Sequence, residues 1–202
     1  MVSDSQIYIE IKDLVTVLLT LAGLVIAGMG LATWKKQIKG TKDFETAYNV
    51  NYSVLKLRAA IKHVRNPFIW PSESQRAVEY GKTRYPNKPD GEVAKNPNPY
   101  VYEMRWQKII DASTELESHL LAAEVLWGPE ILKLIKPLNR KVTDLNMHLR
   151  ENFERAEYRT KDAMQIHDVI YDKSDDQSED GFSKEVGVII KDISAYLKTK
   201  MS

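Results

Sequence analysis

The chain has no cysteine among its 202 residues. Disulfides, thiolate chemistry and cysteine-based zinc or iron–sulfur sites are therefore excluded. It also lacks a glycine-rich phosphate loop and a recognisable Ser/His/Asp grouping. Its charge is balanced, since 29 Lys and Arg face 28 Asp and Glu, and its length allows one domain of ordinary size.

Metal ligation has little support in the sequence. The segment from Asp172 to Asp180 places oxygen-bearing residues at alternate positions, as calcium loops do. However, Gln177 replaces the glycine that such a loop needs for its turn, and Ser183 replaces the bidentate glutamate. The segment is therefore predicted to be an acidic surface loop. Three histidines have no partner at ligand spacing, namely His119, His148 and His167. We therefore expect no metal and no cofactor.

A stretch without any charge runs from Leu14 to Trp34. As a helix it would be about 30 Å long, the thickness of the hydrocarbon core of a bilayer. Buried helices of soluble domains rarely stay apolar beyond about 14 residues. A cleaved signal peptide is not favoured, because the apolar run is longer than usual for one and the residues before it carry three acids against a single lysine. We therefore predict a transmembrane helix over residues 14–34.

The flanks of this stretch predict its orientation. An excess of Lys and Arg beside a span marks the cytoplasmic side, and four lysines follow the stretch directly: Lys35, Lys36, Lys39 and Lys42. Trp34 lies at the same boundary, where amphipathic rings settle. Residues 1–13 are thus expected outside the cytoplasm, and residues 35–202 are expected to form a cytoplasmic domain.

Helical periodicity dominates residues 35–202. Apolar residues recur every three or four positions in four segments, at about 35–66, 101–127, from 137 onward and around 186–197. Each segment has one apolar face to bury, so we predict an all-α domain folded as a helical bundle. A kink or break is expected at Gly40-Thr41. On the segment at 101–127, the predicted buried face includes Trp106, Ile110, Ser113 and Leu116.

Prolines and asparagines interrupt this pattern between residues 68 and 100. A capping box at Ser72–Gln75 predicts a short helix that leads to Tyr80. The stretch from Gly81 to Tyr100 is predicted to be a long Pro/Asn-rich loop. Structureless stretches of this length are unusual inside a compact domain and tend to be functional or disordered.

Charge is sorted along the chain. Residues 35–68 carry eight Lys and Arg against two acids, whereas residues 151–180 carry ten acids against four bases. A basic segment next to a span is attracted to anionic headgroups, by about 1 kcal/mol for each cation close to the surface. The alternative is two solvated faces. The predicted membrane-surface residues are Lys35, Lys36, Lys39, Lys42, Arg58, Lys62 and Arg65.

Arg58 and His63 are separated by four residues, in Arg58-Ala-Ala-Ile-Lys-His63. This R-x4-H spacing resembles the HEPN family of helical ribonucleases, in which the arginine and histidine line a cleft between two protomers. The resemblance implies that His63 would act as an acid or base on a ribose hydroxyl. Ala59 replaces a residue that is commonly polar in the family. The alternative interpretation of the pair is a basic surface.

Two further segments carry a second resemblance: Trp34-Lys-Lys-Gln-x-Lys-Gly40, and Leu57-Arg-x-Ala-Ile-Lys-x-Val-Arg-Asn-Pro-Phe68. Residues 14–68 are similar in these to the start of a group of uncharacterised bacterial single-pass membrane proteins. The resemblance implies the same topology and a bacterial inner membrane, and no particular chemistry.

Small residues four apart within the stretch permit close approach of two helices. They are Gly23 with Ala27, and Gly28 with Ala32. Self-association through them is one possible partnership. The tryptophans and tyrosines are predicted to pack in the core and loops, so nucleic acid is not an expected partner.

These features favour a membrane-anchored helical adaptor or sensor that binds a macromolecular partner, most simply a protein, without catalysis of its own. Two alternatives stay open. One is a membrane-tethered ribonuclease that uses Arg58 and His63, and the other is a self-assembling, membrane-active effector.

The topology generates a first prediction. A reporter fused after Ser202 should be active only in the cytoplasm, and the protein should resist carbonate extraction, because residues 14–34 span the bilayer with the lysines inside. A reporter at Ser202 that is active in the periplasm would contradict the predicted orientation.

Overall fold

The computed structural model describes residues 4–154, 163–174 and 179–201. Within those ranges the chain forms seven helices and no strand. The helices are α1 (Asp4–Val64), α2 (Pro71–Arg84), α3 (Asp90–Lys95), α4 (Asn98–Trp127), α5 (Glu130–Glu154), α6 (Ala163–Ile170) and α7 (Gly181–Lys200). The chain divides into two compact units, Met1–Phe44 and Glu45–Ser202, so α1 contributes to both.

In the first unit, α1 is helical throughout the uncharged stretch, and it is the one described helix that is long and apolar enough to cross a membrane. Side chains of this stretch are largely exposed, for example Leu24 at 66% and Ile26 at 70%. The predicted break at Gly40 is wrong. The helix continues there, and Thr41 Oγ1 donates to the carbonyl of Gln37 at 3.0 Å. One glycine weakens a helix by only about 1 kcal/mol relative to alanine. The helical turns on both sides of Gly40 stabilise the helix by more than this cost.

In the second unit, five helices share one hydrophobic core: α1 from Glu45 onward, α4, α5, α6 through Ile170, and α7. The predicted apolar face of α1 is buried at every position from Ala47 to Val64, while Phe44 is half-exposed. On α4 the predicted face is only partly right. Ile109 and Ala112 are buried in place of Ile110 and Ser113, because both sets are helically spaced and only packing decides between them.

Helices α1 and α4 run antiparallel. Ser53 contacts His119, and Lys56 pairs with Glu115, so residue numbers rise along one helix as they fall along the other. Gly128 ends α4 with a φ of 81°. This left-handed conformation favours glycine, and it lets α5 begin within two residues of the end of α4.

The predicted long loop is mostly helical, which corrects the interpretation of residues 81–100. Helix α2 extends to Arg84 and α3 covers residues 90–95, so only residues 85–89 and 96–97 are irregular. Pro71 and Pro99 lie in first turns of helices, where the missing N–H has no intrahelical partner in any case. These helices enclose a second, smaller core of Ala77, Val93, Tyr100 and Val101.

Helix α5 begins at Glu130 and passes through Pro137, where a new helix was predicted to begin. Ile131, Ile135 and Leu138 form one buried face across the proline. The free energy gained by burying these side chains offsets the loss of the backbone hydrogen bond that proline removes. The predicted continuation toward Tyr171 crosses residues 155–162, which lie outside the described residues.

Arg65 directly follows the last residue of α1, and its side chain is buried, at only 1% exposure. Its Nε donates to the carbonyl of Val169 at 2.6 Å, and its Nη2 donates to the carbonyls of Asp168 at 3.0 Å and Tyr171 at 2.9 Å. Carbonyls at the C-terminal end of a helix have no intrahelical donor. Arg65 therefore caps the end of α6, and its assignment to a membrane surface is wrong.

The same guanidinium reaches the start of α7. Arg65 Nη1 donates to Ser183 Oγ at 2.7 Å, and Nη2 donates to Asp180 Oδ1 at 3.0 Å. Asp180 also accepts from the Ser183 N–H at 2.9 Å, and so it is the N-cap of α7. The Phe182 ring lies 4.5 Å from the guanidinium carbon. Asp180 is thus a structural residue and not part of a plain acidic surface loop.

The Asp180 carboxylate is stabilised in its charged form. Burial opposes its ionisation, but hydrogen bonds from the Ser183 N–H and from Arg65 outweigh that effect and hold the pKa of this carboxyl well below its usual range. A carboxyl whose pKa is lowered by folding stabilises the folded state above its unfolded pKa of about 3.9, and this contribution is lost as the pH falls toward the folded pKa.

A second prediction follows. Replacing Asp180 with alanine should lower the free energy of unfolding by about 3 kcal/mol at pH 7, because it leaves the buried Arg65 without its charge partner. The measurement is chemical denaturation of the full chain followed by circular dichroism.

Asp192→Ala, at an exposed position of the same helix, is the matched control and should change stability by less than about 0.5 kcal/mol. The deficit of Asp180→Ala should shrink below about pH 4, where the unfolded wild-type chain binds a proton that the folded chain resists. Equal stability of both variants at pH 7 would contradict the role of Asp180.

Candidate functional site

Apart from Arg65, the predicted membrane-surface cations are exposed. In the first unit these are Lys35, Lys36, Lys39 and Lys42, and in the second unit they are Arg58 and Lys62. Exposed lysine and arginine side chains are available to an anionic surface.

Arg58 and His63 open onto two adjacent concavities. Arg58 lines one of about 520 Å³ together with Glu179. His63 lines another of about 600 Å³ together with Asn66. Lys62 belongs to both. Ala59, Asp172 and Ser174 also line both concavities, so Arg58 and His63 lie on adjoining parts of one surface.

The surroundings of His63 favour the uncharged form of its imidazole. Burial lowers its pKa, and the nearby positive charges of Lys108 and Arg105 lower it further. An uncharged imidazole at neutral pH can accept a proton, but it cannot donate one as an imidazolium would. A ribonuclease centre needs both a donor and an acceptor for the ribose hydroxyl and the leaving oxygen.

The sequence analysis missed a contact between Ser53 and His119. Ser53 Oγ and His119 Nδ1 are 2.8 Å apart, which is the spacing of a serine–histidine pair. However, Ser53 is fully buried between α1 and α4, so no substrate reaches its hydroxyl. The pair satisfies two polar groups inside the helical core. The two residues are 66 positions apart, and no local pattern would indicate their contact.

Both α1 and α4 carry large apolar side chains that are exposed. Val125 is 86% exposed and Leu121 67%, and Tyr48 and Tyr52 are each more than half exposed. The two tyrosine rings stack, with centroids 6.4 Å apart and an interplanar angle of 12°. We call this surface the α1–α4 patch, and it comprises Tyr48, Tyr52, Leu121, Val125 and Leu126.

The helix register brings the two halves of the patch to the same level of the fold. Lys56 contacts Glu115. Tyr52 lies one helical turn before Lys56 on α1, and His119 lies one helical turn after Glu115 on α4. Because the helices are antiparallel, Tyr52 is level with the His119 turn. Tyr48 is level with the turns that follow, which carry the exposed leucines and valine of the patch. The run Leu120–Trp127 is apolar on nearly every side, and this was the signal that could have revealed the patch.

Within the part of the chain that the structure describes, no three His, Asp or Glu side chains come close enough to hold a metal ion. Part of the predicted acidic loop, residues 175–178, lies outside that part.

Comparison with known proteins yields no relative. No family model matches the chain, and no curated protein and no solved structure is similar to it. The residues and their geometry are therefore the basis for any function.

The electrostatics of His63 generate a third prediction. Full-length protein and its His63→Ala variant should degrade single-stranded RNA to the same extent, because an uncharged His63 imidazole does not supply the proton donor that cleavage needs. His148→Ala, which removes another partly buried histidine, is the matched control. A loss of cleavage confined to His63→Ala, with an unchanged circular dichroism spectrum, would instead support the ribonuclease hypothesis.

Proposed function

We propose that this chain is a single-pass protein of a bacterial inner membrane whose cytoplasmic helical bundle binds a protein partner and catalyses no reaction. The observation that carries the proposal is the α1–α4 patch. Contiguous apolar surface on a protein, rimmed by polar residues, is typical of an interaction site.

The anchor of the proposed protein is the uncharged stretch of α1. Its leucines and isoleucine would be costly to expose to water, at roughly 25 cal/mol per Å² of apolar surface. In lipid the same surface carries no such cost, and the helix satisfies its own backbone groups. The cluster from Lys35 to Lys42 supports an orientation with the C-terminal domain in the cytoplasm.

The patch has the composition of a protein-binding surface. Tyrosine provides a large contact area with few rotatable bonds and is frequent among residues that dominate binding energy. Tyr48 and Tyr52 are already stacked, so they lose little conformational freedom on binding. Exposed polar residues border the apolar ones, among them Asn49, Lys56, Glu117 and Ser118.

Catalysis is not proposed, because neither candidate pair has the properties that catalysis needs. Ser53 is buried, and the lowered pKa of His63 leaves its imidazole without the proton that a general acid donates. An adaptor needs only a surface and an anchor, and both correspond to features of this chain.

A fourth prediction tests the partner. Photo-reactive benzoylphenylalanine at Tyr52 or Val125, in cells that express the full chain, should give one discrete cross-linked adduct larger than the monomer. At Met147, an equally exposed apolar residue on α5, the same substitution should give none. The adducts are detected by immunoblotting and identified by mass spectrometry.

Co-expression of two differently tagged copies separates the possible partners. An adduct that carries both tags would identify a second copy of this chain, and would favour the self-assembling effector over the adaptor. Absence of an adduct at both patch positions, or an equal adduct at Met147, would contradict the proposed binding surface.

A further inference from the structure

A cleft of about 560 Å³ opens between α4 and α5, with Tyr85 and the end of α2 along one side. Its apolar lining includes Tyr102, Trp106, Leu149 and Phe153. The Tyr102 and Phe153 rings pack with centroids 5.2 Å apart. Tyr102 and Leu149 are buried, whereas Trp106 and Phe153 are only partly covered. The cleft therefore presents flat aromatic surface to whatever enters it.

One wall of the cleft is polar and held in place by its own hydrogen bonds. The hydroxyls of Tyr80 and Tyr85 donate to Glu103 Oε1 at 3.0 and 3.1 Å. Burial, followed by the effects of Glu103, raises the pKa of both phenols, so they stay protonated and keep donating. Arg84 Nε lies 4.0 Å from the same carboxylate. The negative charge of Glu103 is thus compensated within this wall.

The opposite wall, on α5, carries a cation that the fold leaves available. Arg150 is exposed and lines the cleft beside the amide of Asn146. Among the described residues of the lining, the charged side chains are Arg84, Arg150 and Glu103, so this part of the cleft carries one more positive than negative charge.

We propose that this cleft binds a small organic anion with a flat aromatic ring, such as an aromatic carboxylate. The ring packs against Trp106 and Phe153, and the carboxylate forms a charge-assisted hydrogen bond with Arg150. Asn146 and Gln107 are placed to accept or donate at the edge of the ring. Apolar walls with a few convergent polar groups, in a volume of roughly 300–1,000 Å³, are typical of small-molecule sites.

This site is separate from the protein-binding surface proposed above. The cleft uses the first three turns of α4, from Pro99 to Ile110, whereas the patch uses its last turns, from Leu121 to Leu126. The ligand site does not rest on the adaptor proposal, and either can fail without the other.

The test compares two probes of equal shape, 1-naphthoate and the uncharged 1-naphthamide. Full-length protein in nanodiscs of neutral lipid is titrated with each probe by calorimetry, with empty nanodiscs subtracted. We expect naphthoate to bind at one site per chain, about tenfold more tightly than the amide, because only the anion gains the arginine contact. Trp106→Leu should weaken the binding of both probes alike.

Charge variants locate the site. Arg150→Gln should weaken naphthoate about tenfold and bring it to the affinity of the amide. Arg140→Gln, at an exposed position of α5 outside the cleft, should leave both affinities unchanged. Because Arg150 is exposed, its replacement should not affect folding, which the circular dichroism melt of each variant checks.

Three outcomes would overturn the proposal. They are the absence of saturable binding of naphthoate to the wild-type chain, equal affinity for naphthoate and naphthamide, and naphthoate binding that Arg150→Gln leaves unchanged in a folded protein.

Discussion

A buried guanidinium ties together three helix ends in this protein. Arg65 follows the last residue of α1, and its donors reach the final carbonyls of α6 and the N-cap of α7. The backbone carbonyl of Arg65 also accepts from the Asp172 N–H at 2.8 Å. A charge inside a protein costs several kcal/mol unless every donor finds an acceptor. Helix α7 can therefore bury its apolar face against α1 only in the register that brings Asp180 to Arg65, and the core depends on that register.

The residues that follow are held by a second buried arginine. Arg105 on α4 forms two hydrogen bonds of 2.7 Å with the Glu73 carboxylate on α2, and it donates to the carbonyls of Asn66 and Phe68. Such paired bonds fix an angle as well as a distance. The glutamate stays charged, because the hydrogen bond from Arg105 lowers the pKa of its carboxyl against the opposing effect of burial. Together the two arginines clamp residues 65–68, and α2 takes its position against α4 from this clamp. The wall of the aromatic cleft that α2 forms therefore depends on this clamp.

These two arginines also mark what sequence could and could not predict. Apolar spacing was sufficient for the helices and for the buried face of α1, because burial there follows a period of 3.6 residues. Local charge counts placed Arg65 on a surface, since its partner Asp180 is 115 residues away and leaves no trace in the local pattern. A short helix up to Tyr80 was predicted, but the last turn of α2 and the whole of α3 were not, because prolines between residues 68 and 100 indicated an irregular chain. Pro71 and Pro99 instead occupy first turns of helices. The cleft was beyond sequence analysis altogether, since its walls come from three helices whose pairing depends on the clamp.

The exposed apolar surface is not a sign of an incomplete interior. Within the described residues, every buried side-chain nitrogen and oxygen has a hydrogen-bond partner, and five helices contribute to one apolar core. Leu121 and Val125 are therefore not residues that failed to find a place inside. They lie on the outer side of α4, whose inner side supplies Leu120 and Ala123 to the core. Apolar residues on both sides of one helix are not needed for packing against a single core. Packing against the core accounts for the inner side alone, and the exposed outer side supports the proposed contact with another molecule.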